Sequence, residues 1–450
     1  MQKSKMKKWM AGMVAGITMA MAPMSQAKLV NVDVEISNPV IPAGKTATTY
    51  VQISLTGLPR PIETRRADVN IAIVLDKSGS MQGQKIQHAK QAAIKAVNML
   101  GPNDIVSIIT YDTNVRVLVP ATKASDRHNI INAIHQIQAG GSTALFGGVS
   151  KGAYEVRKFI SENRVNRVIL MSDGLANHGP STPGELGALG RSLGSEGITV
   201  STIGLGLDYN EDLMTQLAMN SDGNHMFAET PEDVARAFQA ELGDVLSVVA
   251  QGVNIVFTCP DGVRPVRVLG RDAEISGQRM RLSMNQLYTE QTKFVILEVE
   301  VAATAVGHQR QVGVAQVEYT NMHTNSNLKQ NYAVVVQGES SPQAVERNIN
   351  KDIMASVIHM QGVANNKRAL ALRDEGRVEE AKEVLGSNVI FLDENAARYD
   401  SKKLKDYGLS QKGQVQLFDQ DEAEFKRSRK MIKEEQHVIE TQQRVTPKKQ

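Results

Sequence analysis

The sequence predicts a multidomain chain in which a doubly wound, open α/β sheet is inserted in a discontinuous β-sandwich and followed by helices. Three observations predict it. Residues 69–75 form an almost unbroken apolar run, as a strand buried on both faces requires, and strands then alternate with helical stretches to residue 249. On either side, at 28–66 and 250–338, the texture is strand after strand with turn residues between. From residue 341 to 450 the chain reads as polar and helical. A length of 450 residues accommodates these parts, because a domain takes roughly 100–200 residues.

Residues 1–27 read as a secretory signal peptide. Lys3, Lys5, Lys7 and Lys8 precede an uncharged apolar run from Trp9 to Ala22, Pro23 breaks it, and Ser25-Gln26-Ala27 offers small residues before a cut. The run is shorter than the ~20 apolar residues a membrane helix needs. No later stretch could span a membrane, so the expected location is periplasmic or secreted. Removing the peptide's four lysines turns a formal charge of +3 into a neutral balance of 47 basic against 48 acidic residues.

In the first β segment Val30, Val32, Val34 and Ile36 alternate with polar residues, and Val51, Ile53 and Leu55 repeat the pattern after a turn at Pro39, Pro42 and Gly44. Two strands are not a stable unit alone. Their partners are expected in the runs at 251–258, 263–268, 279–284, 293–303, 310–319 and 331–337, completing one sandwich around residues 68–249. Inside that middle region strands are expected at 69–75, 105–110, 167–171 and 200–204, with another apolar stretch at 115–119. Helices are expected at 85–100, 126–138, 145–160, 184–195, 210–220 and 231–249. In the C-terminal region residues 369–385 read as a helix hairpin turning at Gly376. Residues 413–443 read as one helix whose stripe of Phe418, Phe425, Ile432 and Ile439, supported by Leu417, Met431 and Val438, docks onto its own protein rather than onto a coiled-coil partner.

Composition removes several functions. A near-neutral charge excludes a strongly basic nucleic-acid binder, and 4% aromatic residues argue against a base-stacking surface. One cysteine, Cys259, excludes an intrachain disulfide or a multi-cysteine metal site and reads as a small buried hydrophobe. Gly190-Arg191-Ser192-Leu193-Gly194 matches the hydrolase elbow pattern, but Ser192 falls in a helical stretch instead of a strand-to-helix turn. There is no phosphate-binding GxxxxGK[ST] loop and no HExxH pair. Gly204-Leu205-Gly206 reads as a tight turn, His178 as a surface-loop residue, and Lys402, Lys403 and Lys405 as a solvated helix face.

Open α/β sheets hold ligands at the carboxyl ends of their strands. There the sequence places Asp76-Lys77-Ser78-Gly79-Ser80-Met81, Gly140-Gly141-Ser142-Thr143 and Ser172-Asp173-Gly174. Asp76, Ser78, Ser80, Thr143 and Asp173 form a set of two carboxylates and three hydroxyls. Hard oxygen donors suit Mg²⁺, with Mn²⁺ or Ca²⁺ as alternatives. Two carboxylates at most neutralise a divalent ion, which stays electrophilic toward an Asp or Glu carboxylate of a protein partner.

In this order and setting, Asp76-x-Ser78-x-Ser80, Thr143 and Asp173 resemble the metal-ion-dependent adhesion site of the von Willebrand factor type A domain, with all five positions filled. The resemblance covers about residues 68–249. It implies Ser78, Ser80 and Thr143 as direct ligands, with Asp76 and Asp173 acting directly or through water. The flanking segments resemble exported bacterial proteins that carry this domain within a β-sandwich. The function expected is non-enzymatic: an exported adhesion or scaffold module whose divalent cation bridges to a partner. The alternative is a non-catalytic subunit of an envelope enzyme or assembly complex. The resemblance also implies that shifts of the helix at 231–249 could couple to metal coordination.

Overall fold

The structure, a computed structural model, describes residues 29–59, 66–441 and 443–445. The expected signal peptide lies outside the described residues. The chain opens with β1 (Val30–Ile36), β2 (Val40–Pro42) and β3 (Ala47–Gly57). An α/β segment follows: β4 (Asp68–Asp76), α1 (Gln84–Met99), β5 (Ile105–Tyr111), β6 (Val115–Lys123), α2 (Arg127–His135) and α3 (Leu145–Arg157). It continues with β7 (Arg164–Ser172), α4 (Pro183–Ser195), β8 (Thr199–Leu205), α5 (Glu211–Asn220), β9 (His225–Ala228) and α6 (Pro231–Leu246).

These strands form a six-stranded sheet in the order β6-β5-β4-β7-β8-β9. All neighbours are parallel except β6, which returns antiparallel to β5 at one edge. Because β4, β5, β7 and β8 are buried along nearly their whole length, they can read as continuous apolar runs. One face is covered by α1, α2 and α6, whose Ile86, Ala93, Ile134, Phe238 and Leu242 pack on Ile71, Ile73, Val106 and Ile169. On the other face α3, α4 and α5 pack Val149, Leu186 and Leu213 against Val74, Val168 and Val200. Strand β9 has no counterpart in the sequence reading, since four residues with two half-buried positions carry almost no period.

The remaining strands are β10 (Val248–Thr258), β11 (Val263–Leu269), β12 (Glu274–Ser276), β13 (Arg279–Tyr288), β14 (Gln291–Val301), β15 (Gln309–Asn321) and β16 (Ser326–Glu339). The N-terminal strands join them. β3 lies antiparallel to β14, with Ala47 opposite Val301 and Thr56 opposite Thr292, and β1 pairs on the outside of β3. β2, where a turn was expected, is a short strand parallel to β16. The two sheets, β1-β3-β14-β11 and β12-β13-β10-β15-β16-β2, share one apolar core that includes Val32, Ile53, Val295, Ile255, Phe257 and Val317. The helix expected through residue 249 ends at Leu246, and β10 starts at Val248 because the next residues pair with β13.

Helices close the chain: α7 (Pro342–Arg347), α8 (Lys351–Asp374), α9 (Val378–Tyr399), α10 (Lys402–Leu417) and α11 (Glu422–Glu440), then a short strand β17 (Gln443–Val445) on β14. α8 and α9 turn on Gly376, whose φ of 79° suits a residue without a side chain. The single helix expected at 413–443 is two. Asp421 caps α11 by accepting from the N–H groups of Ala423 and Glu424, and the Phe418 and Phe425 rings meet edge-on at 5.9 Å across the break. Phe418, Phe425 and Ile432 are buried, whereas Met431 and Val438 of the expected stripe are exposed. α11 docks on α5 and the edge strand β9: the Arg429 guanidinium meets Glu211, Asp212 and Asp374, and Lys430 Nζ lies 2.7 Å from Glu211.

Two buried polar clusters tie these parts together. Arg167 on β7, fully enclosed, donates to Glu241 of α6 at 2.7 Å and to Gln286 and Tyr288 of β13 at 2.5 Å each. Asp222, just after α5, accepts from Lys293 of β14 at 2.9 Å and from Arg271 at 3.0 Å, and Arg271 also donates to the Thr441 carbonyl beyond α11.

Candidate metal centre

The carboxyl ends of β4 and β7 lie side by side, with Leu75 opposite Met171, so the loops leaving them meet. After Asp76 the chain makes a single 3-10 turn, Gly79–Met81, and enters α1. The loop before α3 is laced to it: Gly79 N–H donates to the Gly141 carbonyl at 2.9 Å and Gly140 N–H to the Lys77 carbonyl at 2.7 Å. Gly141, at φ 87°, passes so close to Asp112 that a Cβ would stand 3.0 Å from its side chain. Thr143 is fixed by Asn177, whose Oδ1 accepts from Thr143 N–H at 2.8 Å while its own N–H donates to the Thr143 carbonyl at 3.2 Å.

These contacts bring all five side chains singled out in the sequence to one place. Asp76 is fully buried; its Oδ1 accepts from Ser78 N–H at 2.8 Å and its Oδ2 from the Ser172 hydroxyl at 2.6 Å. Asp173, also fully buried, accepts from the Ser80 hydroxyl at 2.7 Å on Oδ1 and from Lys85 Nζ at 2.5 Å on Oδ2. The Ser78 and Ser80 hydroxyls are 3.1 Å apart. The Thr143 hydroxyl closes the set: a Cβ added to Gly174 would stand 3.4 Å from it and 3.5 Å from the Ser80 hydroxyl. The missing side chain at residue 174 leaves this cradle open.

The electrostatics are those of a site short of positive charge. Burial pushes the Asp76 carboxyl above its usual value, the Ser172 and Ser78 hydrogen bonds pull it back, and the neighbouring Asp173 charge raises it again. Both donors to Asp76 are neutral groups. Lys77 is engaged by Asp112 instead. Two buried carboxylates and three hydroxyls, with one carboxylate lacking a cationic partner, fit a hard divalent cation. Among the described residues no group of three or more His, Cys, Asp or Glu side chains is placed to hold a metal ion, and the donor set here has only two carboxylates beside its hydroxyls.

Ser172 and Lys85 escaped the sequence reading. Ser172 stands in the Ser172-Asp173-Gly174 motif but was given no role there, since it is the last residue of the strand. Lys85 could have been noticed as a cation in the first turn of a helix that starts at the same sheet edge. Of the residues set aside, His178 is exposed next to Asn177, Ser192 lies exposed within α4, and Cys259 is buried, its thiol pushed up to about 11 by burial.

Residues 70–241 match the family model of the von Willebrand factor type A domain, and the chain carries that domain. An uncharacterized protein of Synechocystis is 26% identical over 271 residues, covering 57% of this chain and 62% of that relative. Human inter-alpha-trypsin inhibitor heavy chain H4 is 28% identical over 162 residues, covering 34% of this chain and 17% of its own length. The match thus spans less than two thirds of either relative. Among solved structures, a von Willebrand factor type A protein from Catenulispora acidiphila superposes with a TM-score of 0.70 at 16% identity, covering 89% of this chain and 91% of that one. That likeness concerns the fold. Among the described residues no helix is long and apolar enough to cross a membrane.

Proposed function

We propose that this protein is an exported, non-enzymatic protein-binding module in which a divalent cation at the sheet edge bridges to an Asp or Glu carboxylate of a partner. The observation that carries the reading is the convergence of Asp76, Ser78, Ser80, Thr143 and Asp173 around a cradle with an unmatched buried carboxylate. Ser78, Ser80 and Thr143 would hold the ion, Mg²⁺ before Mn²⁺ or Ca²⁺, with Asp76 and Asp173 binding directly or through water. Bound there, the cation supplies an electrophilic position that a carboxylate oxygen can fill. The chain's own part is to fix three hydroxyls in place through the laced loops, so that little order need be imposed on binding.

The rim supports a protein as the partner. Gly79, Ser80, Gln82, Thr113, Ser142, Leu175 and Asn177 are exposed around the site and none is charged. The charged side chain on view beside them is Lys85, which is 38% exposed and held on Asp173. The basic start and apolar centre of residues 3–22 support export to the periplasm or beyond the cell. The two sheets that share a core, read as one sandwich, would carry the α/β domain as an insertion between β3 and β10.

Titration of the full chain with Mn²⁺, followed by electron paramagnetic resonance, tests the site. The wild type is expected to bind one Mn²⁺ and to release it to Mg²⁺, while Ser78→Ala and Asp173→Ala lose at least tenfold in affinity. Equal binding by wild type and both variants would place the ion elsewhere and overturn the reading.

A further inference from the structure

One cation already reaches into the candidate site. Lys85, in the first turn of α1, places Nζ 2.5 Å from Asp173 Oδ2, although that carboxylate has no exposed surface. The ammonium lies 3.8 Å from where a Cβ of Gly206 would stand, so the loop after β8 passes Lys85 at a residue with no side chain. Helix stability does not account for its place, because a positive charge in the first turn opposes the helix dipole. Asp173 does account for it.

The charge count gives the contact a consequence. Asp76 and Asp173 contribute two negative charges and Lys85 one positive, while Lys77 is matched by Asp112. A divalent ion added to this set leaves a net charge of about +1, whereas the same site without Lys85 would be neutral. We infer that Lys85 is a built-in competitor of the metal: it holds Asp173 when no ion is bound, weakens ion binding by charge repulsion, and leaves the loaded site more attractive to a carboxylate. The inference rests on the metal-binding reading above. It assigns Lys85 a positioning and tuning role exerted through Asp173.

Mn²⁺ binding to the full chain provides the test, with Lys85→Met and Lys85→Arg beside the wild type. Lys85→Met is expected to bind Mn²⁺ about tenfold more tightly, and Lys85→Arg to stay within about threefold of the wild type. With Mn²⁺ saturating, acetate is expected to displace metal-bound water, read by water proton relaxation, at several-fold lower concentration in the wild type than in Lys85→Met. A merely structural lysine would not move affinity upward on removal. Equal or weaker Mn²⁺ binding by Lys85→Met, beside a wild type that binds, overturns the Lys85 role alone. If neither protein binds Mn²⁺, the metal-site reading falls and this inference with it.

Discussion

At the scale of single residues, the candidate site depends on one absent side chain as much as on five present ones. Gly174 sits where a Cβ would touch both the Thr143 and Ser80 hydroxyls, at 3.4 and 3.5 Å. Its φ is not in the left-handed region, so the fold does not demand glycine there. Gly174→Val is therefore expected to keep the melting temperature within a few degrees and yet weaken Mn²⁺ binding at least tenfold, measured by the same paramagnetic titration. Asp76, Ser78, Ser80, Thr143 and Asp173 were legible in the sequence because each follows a strand or precedes a helix at the edge where open sheets bind ligands. Ser172 and Lys85 were not. Their relevance comes from reaching Asp76 and Asp173 across the site, over 96 and 88 residues of chain.

At the scale of elements, α11 shows how a pattern can be right in kind and wrong in extent. The spacing of seven places Phe418, Phe425 and Ile432 in the core, but Asp421 caps a new helix and interrupts the run. Docking α11 on β9 also buries a histidine pair. His225 of β9 and His437 of α11 meet edge-on at 6.3 Å, and burial pushes them down to about 3 and about 4. The cations Lys430, Arg271 and Lys293 add to that depression, while Asp212 and Asp222 and the Gly223 carbonyl oppose it.

The sign of the pH effect follows. Below about pH 6.5 an unfolded histidine takes a proton that the folded one refuses, so each histidine makes the fold less stable as pH falls. Glu434 of α11, pushed up to about 7 mainly by burial, does the reverse: its folded form keeps a proton that the unfolded chain releases above about pH 4. Relative to the wild type, His437→Gln is expected to gain stability as pH falls from 6 to 5 by about 1 kcal/mol. Glu434→Gln is expected to lose a smaller amount over the same interval, because its carboxylate is partly solvated. Urea unfolding midpoints at the two pH values check both signs.

At the scale of the whole molecule, Arg167 joins the parts. It stands on β7, the strand that ends at the candidate site, and bonds to α6 and to β13 of the neighbouring sheet, with both Arg167 and Glu241 fully buried. Arg167→Met would leave Glu241 buried without its cation beside Asp244, whose carboxyl is already pushed up to about 7, mainly by burial and then by Glu241. The expected cost is about 3–5 kcal/mol, and Arg167→Met with Glu241→Gln should recover a large part of it. Urea denaturation of the two variants measures both. The same cluster bears on any movement of α6, since Glu241 is held by a residue that also grips β13.

The sequence by itself determined the α/β alternation, the flanking strands, the helical end and the five side chains at the sheet edge. Periodicity, apolar runs and the position of a residue just after a strand are local properties, and local properties survive in one dimension. Only the tertiary structure decided that β3 pairs with β14 and β1 with β3, that β9 and β2 are strands at all, and that α11 lies against α5 and β9. It alone brought Lys85 to Asp173 and Arg167 to Gln286 and Tyr288. Those choices depend on burial and charge compensation between distant segments, which no window of neighbouring residues encodes.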